Sequence, residues 1–206
     1  MNARAMTKPF AILTAFAAAA ALAACSPQKA SPPTDLQGVD IAGTPIGGPF
    51  TLTDKDGKRV SWDQFKGQYR MVYFGYTFCP DACPMDMGAA MQGYVRFAKD
   101  HPKLAEQIQP IFITVDPERD TPARVGEFAA AFHPRVLGLT GSRAEIDAAI
   151  KAFKVVAVRG KDVTGGYLMD HSRAVYLFDR DGKPLVTLPV DKGGEAVASD
   201  LAKVVH

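Results

Sequence analysis

Residues 70–84 read RMVYFGYTFCPDACP. The first eight positions form a near-continuous apolar and aromatic run, which suits a strand buried on both faces. Cys79 and Cys83 follow at once, separated by three residues, and a Met/Ala-rich stretch suited to a helix runs on to about Asp100. Further along, PIFITV at 110–115 is a second buried strand. Thr121 and Pro122 read as the N-cap and first position of a helix that ends near Phe132. Residues 136–140 make a short strand, and Ser142 with Glu145 three positions on forms a capping box for a helix to Phe153. Residues 155–158 read as a strand, 174–178 and 185–188 as a hairpin around Asp181-Gly182, and 194–205 as a closing helix. On the N-terminal side, 49–53 and 59–62 alternate about Asp56-Gly57, a further hairpin signal. Trp62, the single tryptophan, is assigned to the core.

Strands that alternate with helices and then finish in a hairpin and a helix give an α/β layer fold. A cysteine pair where a buried strand meets a helix fits the thioredoxin-like arrangement. The expected fold class is therefore α/β, a thioredoxin-like mixed sheet flanked by helices with an N-terminal β-hairpin, over residues 46–206.

The 206-residue chain is 47% hydrophobic, enough for one domain with a true core. Its 24 Lys and Arg face 22 Asp and Glu, and the two surplus cations are Arg4 and Lys8 in an N-terminal segment without acids. The remainder is charge-balanced, so no basic patch argues for nucleic acid and none is expected as a partner. Residues 1–24 read as a lipoprotein signal peptide: a positive start, then an apolar stretch from Phe10 to Ala21 too short to span a bilayer as a permanent helix. The sequence LAAC at 22–25 looks like a bacterial lipobox, which makes Cys25 the expected site of lipid attachment. Residues 25–45, rich in Pro, Ser and Gly, are expected to be a lipid anchor and flexible linker. The expected location is a membrane-anchored lipoprotein facing the periplasm.

With Cys25 consumed by lipid, Cys79 and Cys83 remain as a lone pair in an oxidising compartment. If the helix starts near Cys79, the two thiols lie at i and i+4 on one face, and the helix N-terminus favours thiolates. Such a pair can close a disulfide or share one metal ion. Two thiolates rarely complete a coordination shell, so a third ligand is sought among the four histidines. His101 and His133 precede prolines at helix ends and His206 is the last residue, so all three read as solvated or capping. His171 differs. It sits in YLMDHS at 167–172, directly before the strand AVYLF, where thioredoxins carry a cis-proline loop that faces the cysteines. Among the methionines near the pair in sequence, Met87 and Met91 continue its i+4 line and read as core. Asp116-Pro117-Glu118-Arg119-Asp120 reads as a turn plus helix cap, and Ser172 lacks any hydrolase context.

Three segments in order, YFGYTFCPDACP, TVDPERDTP and DHSRAVYLFD with a following DGK, resemble the Sco (SenC) family of copper proteins. The resemblance covers about residues 46–206 and implies a thioredoxin-like copper-binding domain. It implies one copper ion, Cu(I) or Cu(II), held by Cys79, Cys83 and His171, and a chaperone role in assembly of the binuclear copper centre of cytochrome c oxidase. The implied partner is the copper-accepting subunit of the oxidase, with other periplasmic copper carriers or thiol reductants as further partners. Soft thiolates with an imidazole agree with copper.

Asp170 adds negative charge beside the implied ligands. Our hypothesis is that it favours Cu(II) or orients His171 as a neighbour of the ligand shell. Equal effects of Asp170→Asn on Cu(I) and Cu(II) affinity would remove it. The alternative function is a periplasmic thiol–disulfide oxidoreductase that uses Cys79 and Cys83 as a redox pair without metal transfer. On the copper reading the protein is not an enzyme. A peroxiredoxin is disfavoured because Tyr76 and Val72 stand where its Thr or Ser and its Pro would be.

Overall fold

The computed structural model describes Met1, Asn2 and residues 35–206. The expected signal peptide from residue 3 on, Cys25 and the first part of the expected linker lie outside the described residues.

The first strand, β1, is Val39–Asp40. A hairpin follows, β2 (Thr51–Thr53) and β3 (Arg59–Ser61), paired antiparallel about the glycine turn that the sequence marks. Then come β4 (Tyr69–Gly75), α1 (Ala82–Asp100), the short α2 (Pro102–Ala105) and β5 (Ile108–Thr114). α3 (Pro122–Phe132), β6 (Leu137–Leu139) and α4 (Arg143–Ala152) continue the alternation. The chain closes with β7 (Ala157–Val163), β8 (Gly166–His171), β9 (Val175–Phe178), β10 (Pro184–Leu188) and α5 (Gly194–Val204).

Six strands form the central sheet in the order β1-β10-β9-β4-β5-β6. β4, β5 and β6 run parallel, while β9, β10 and β1 are antiparallel to their neighbours. All seven residues of β4 are buried, as its lack of alternation requires of a strand at the sheet's centre. Arg70 is buried there too. Its guanidinium lies 4.5 Å from the Trp62 ring and donates to the carbonyls of Asp179 and Arg180 at the β9–β10 turn. The expected caps form: Thr121 accepts from Arg124 N–H, and Ser142 and Glu145 close a reciprocal capping box. α1 packs against α5 closely enough that a Cβ at Gly93 would come within 2.3 Å of Val197.

Three expectations change. The composition of residues 25–45 predicts a flexible linker, yet within the described part Val39–Asp40 pairs with β10, and the buried Asp200 carboxylate accepts from the amides of Gln37 and Gly38. A Pro/Gly-rich sequence with few large side chains is held here through its backbone, which composition does not report. The strand expected at 155–158 is longer and pairs with a strand that the sequence reading leaves as loop, in a two-stranded ribbon, β7–β8, separate from the main sheet. β7 is mostly exposed and carries Arg159, Gly160, Lys161 and Asp162, so no apolar periodicity marks it. Finally, α1 begins at Ala82, so Cys79 lies in the loop before the helix and not on its first turn.

Candidate metal centre

β4 delivers the chain to the site. A Cβ at Gly75 would lie 3.0 Å from Cys83 Sγ, so the strand end and the cysteine can touch only because this residue has no side chain. The loop beyond is held from below. The buried Asp120 carboxylate accepts from the Thr77 amide at 3.0 Å, the Thr77 hydroxyl at 2.6 Å and the Thr114 hydroxyl at 2.6 Å. Burial pushes the Asp120 carboxyl up, while those donors pull it back.

Cys83 is fully buried and Cys79 half-buried. The Cys83 amide in the first turn of α1 donates to Cys79 Sγ at 3.3 Å, so the helix start faces that sulfur although Cys79 is outside the helix. A hydrogen bond from the Cys83 side chain holds the Cys79 thiol down to about 3, against the opposing effect of burial. The same bond and its own burial push Cys83 up. Burial of Cys83 and the amide hydrogen bond to Cys79 both favour negative charge on Cys79 over Cys83.

β8 brings in the third donor. Strand alternation turns Tyr167, Met169 and His171 to one face and Leu168 and Asp170 to the other. His171 Nε2 stands 3.2 Å from Cys83 Sγ, and Nδ1 is 2.9 Å from the Ser172 carbonyl. A carbonyl oxygen only accepts, so Nδ1 carries a hydrogen, and Nε2 is the ring nitrogen turned toward the sulfurs. Tyr73 and Tyr76 meet the imidazole edge-on, with centroids 6.1 and 5.7 Å away. Burial pushes the Tyr76 phenol up to about 12 and raises that of Tyr73 as well, so both rings stay uncharged walls.

Cys79, Cys83 and His171 each offer one donor atom, and these atoms lie within 4.8 Å of one another, the sole such group of three among the described residues. The spacing brings all three within reach of one small ion, and two sulfurs with one imidazole suit copper better than a hard cation. Asp170 does not take the orienting position that the hypothesis gave it. It is exposed on the opposite face of β8, across from Val158, and the Ser172 carbonyl orients the ring instead.

The other histidines are elsewhere. His101 caps α1 against Phe97, His133 Nδ1 accepts from the Arg135 amide, and His206 is the exposed terminus. Met87 and Met91 are core residues, as expected, whereas Met85 is exposed. Sequence reasoning took residues 116–120 for a turn and cap and missed their depth. Asp116 and Asp120 are fully buried, and Arg119 joins Asp116 to the ribbon. It also missed Asp86 and Arg173, whose ion pair lies beside the cysteine helix. Two acids and an arginine at the end of a buried strand were the available signal for the first group. Ser172 serves the backbone, accepting from the Val156 amide.

The profile of the SCO1/SenC family matches residues 39–206. A SCO2-like protein of Rickettsia felis is 39% identical over 154 residues, which are 74% of this chain and 73% of that one. Mitochondrial relatives are longer, and the chain spans about half the length of those it matches. Among solved structures, Bradyrhizobium japonicum ScoI with copper bound superposes with a TM-score of 0.69 at 39% identity, covering 78% of this chain and 99% of that one. BsSco, described as a member of the Sco family of cytochrome c oxidase assembly proteins and as having a disulfide switch, gives a TM-score of 0.56 at 29% identity, over 80% and 98% of the two chains.

Proposed function

This chain belongs to the SCO1/SenC family, and from that premise we propose that it is a copper chaperone for cytochrome c oxidase assembly. It takes one copper ion between Cys79, Cys83 and His171 and passes it to the copper-accepting subunit of the oxidase. The observation that carries this reading is the convergence of two sulfurs and one imidazole nitrogen within 4.8 Å. The copper-bound relative supports the identity of the ion.

The geometry suits transfer as well as capture. Cys79 is half-buried and its thiolate form is favoured, so an incoming ion meets the more accessible sulfur first. Cys83 gives up its proton as it engages the ion. His171 completes the set, and its exposure is partial, so a partner's donor atoms can replace it one at a time. Asp170, on the outer face of β8, keeps only its charge as a means of favouring the oxidised ion.

A thiol–disulfide activity of the same pair is favoured by the asymmetry of the two sulfurs. The Cys79 thiolate attacks one sulfur of a partner disulfide and releases the other as a thiolate. Cys83 then loses its proton and attacks the Cys79 sulfur, leaving a Cys79–Cys83 disulfide and a partner reduced by two electrons. Both activities place the protein at a membrane surface with its acceptor. Anchoring by lipid on Cys25, with the domain in the periplasm, is part of the proposal. No helix among the described residues is long and apolar enough to cross a membrane.

Titration of the fully reduced protein with copper tests the metal reading. One equivalent is expected to bind, and the Cu(II) form to show intense thiolate-to-copper absorption that His171→Ala weakens. A protein that takes up no copper, or whose spectrum is indifferent to His171, would refute it. Thiol exchange with a small disulfide should survive His171→Ala, which separates the two activities.

A further inference from the structure

His171 stands on a ribbon that has no strand pairing with the six-stranded sheet. Something other than the main ladder must hold its imidazole 3.2 Å from Cys83. Besides the buried Met169, two arginines reach the segment, Arg119 at the start of β8 and Arg173 just past His171.

Arg119, in the turn between β5 and α3, donates from Nε to Asp116 Oδ2 at 2.5 Å and from Nη1 to the Tyr167 carbonyl at 2.8 Å. Its guanidinium lies 3.6 Å from the centroid of the Tyr167 ring and 4.8 Å from that of Phe78, the residue before Cys79. The Tyr167 hydroxyl donates to Asp116 Oδ1 at 2.7 Å. Asp116 is wholly buried, so its charge is locked to this one cation. The start of β8 is thus fixed to the sheet and to the Cys79 loop together. Arg173, two residues past His171, forms a two-pronged pair with the buried Asp86: Nε to Oδ2 at 2.9 Å and Nη2 to Oδ1 at 2.7 Å. Asp86 lies three residues beyond Cys83 on α1 and also accepts from the Tyr73 hydroxyl at 3.0 Å. The end of the His171 segment is thereby fixed to the helix that carries Cys83.

We propose that Arg119 and Arg173 are positioning residues for the third ligand: together they set the distance between His171 and the two sulfurs, and so decide how far the imidazole contributes to copper binding. The inference rests on the copper reading above. Neither arginine donates to a sulfur in the structure. Each acts on the metal through His171, and it follows that their effect disappears when His171 is absent. Cu(II), which gains more than Cu(I) from a nitrogen donor beside two thiolates, is the ion that feels the loss.

The test uses the reduced full chain, Cu(II) and Cu(I) ions with competing chelators, and the variants Arg119→Ala, Arg173→Ala and His171→Ala alone and in pairs. Each arginine variant is expected to lose about 10- to 100-fold in Cu(II) affinity, the range typical of residues behind a ligand shell, with weaker thiolate-to-copper bands and a smaller change for Cu(I). In the His171→Ala background neither arginine substitution should add to the loss. Arg173→Lys should not restore binding, because an ammonium cannot supply the two-pronged pair. A readout free of metal is amide hydrogen exchange across residues 166–173, expected to speed up in both arginine variants. Should Arg119→Ala fail to fold, leaving Asp116 buried without its cation, Tyr167→Phe keeps the ring and removes one bond of the same clamp.

Parent-like affinity and exchange in the arginine variants would overturn the proposal, as would a loss of equal size in the absence of His171. If the parent itself takes up no copper, the chaperone reading falls, and the exchange experiment alone still decides whether the arginines hold the strand.

Discussion

Cys79 and Cys83 have the same side chain and opposite characters, because one sulfur receives a hydrogen bond from a helix start and the other is fully buried beside Tyr73. A depressed value means that the charged form persists to lower pH. With Cys79 held down to about 3, its thiolate fraction is nearly constant from pH 5 to 8. An ordinary thiol gains on the order of a thousandfold in thiolate over that range. Alkylation of the reduced, metal-free protein with iodoacetamide should therefore proceed at Cys79 at nearly the same rate at pH 5 and pH 8, with Cys83 unmodified, as read by peptide mass mapping. Preferential labelling of Cys83, or a steep rise at Cys79, would contradict the assigned charge distribution. His171 shows the same dependence on surroundings: four histidines are chemically alike, and only the one at the end of β8 meets sulfur.

Helix α1 carries Cys83 at its start and is held along its length by α5. Gly93 makes the approach possible, since an added Cβ would meet Val197 at 2.3 and 2.5 Å and the Gly194 carbonyl at 2.9 Å. Gly93→Ala is expected to destabilise the domain by about 1–3 kcal/mol, the usual result of overpacking, even though alanine is the better helix former. Denaturant unfolding measures this, and an unchanged midpoint would show that α5 is free to shift. The ribbon β7–β8 is the contrasting element. It buries little, its register shifts between Arg159 and Asp162, and its placement comes from arginine pairs and Met169. A helix held by close packing and a ribbon held by a few polar anchors thus meet at one site.

Over the whole molecule, the N-terminal segment is tied to the far side of the sheet from β6: β1 pairs with β10, and Asp200 on α5 receives the amides of Gln37 and Gly38 at 2.7–3.0 Å. The chain before residue 37 is therefore joined to the fold at β10 and α5, and reaches the Cys83 helix only through α5. Asp200→Ala should free residues 37–41, making them sensitive to limited proteolysis, and cost about 1–3 kcal/mol for the amides left unpaired. Copper stoichiometry should stay at that of the parent. A loss of copper binding in this variant would mean that the N-terminal attachment and the site are coupled.

Apart from β1, α2 and β8, the strand and helix order was legible in the sequence, as were the two caps at Thr121 and Ser142, the hairpin turns and the cysteine pair. Each is set by neighbours within a few residues: hydrophobic period, a capping side chain, a glycine turn. His171 was also legible, through its place before β9 and the resemblance that matched it. What only the tertiary structure decided involves partners far apart in the chain. The split of charge between the cysteines, the outward turn of Asp170, the buried depth of Asp116 and Asp86 and the two arginine clamps depend on contacts such as Arg119 with Tyr167 and Arg173 with Asp86. A carboxylate that ends a turn and one that anchors a buried arginine read alike as letters. Their difference is how much water the rest of the fold leaves around them.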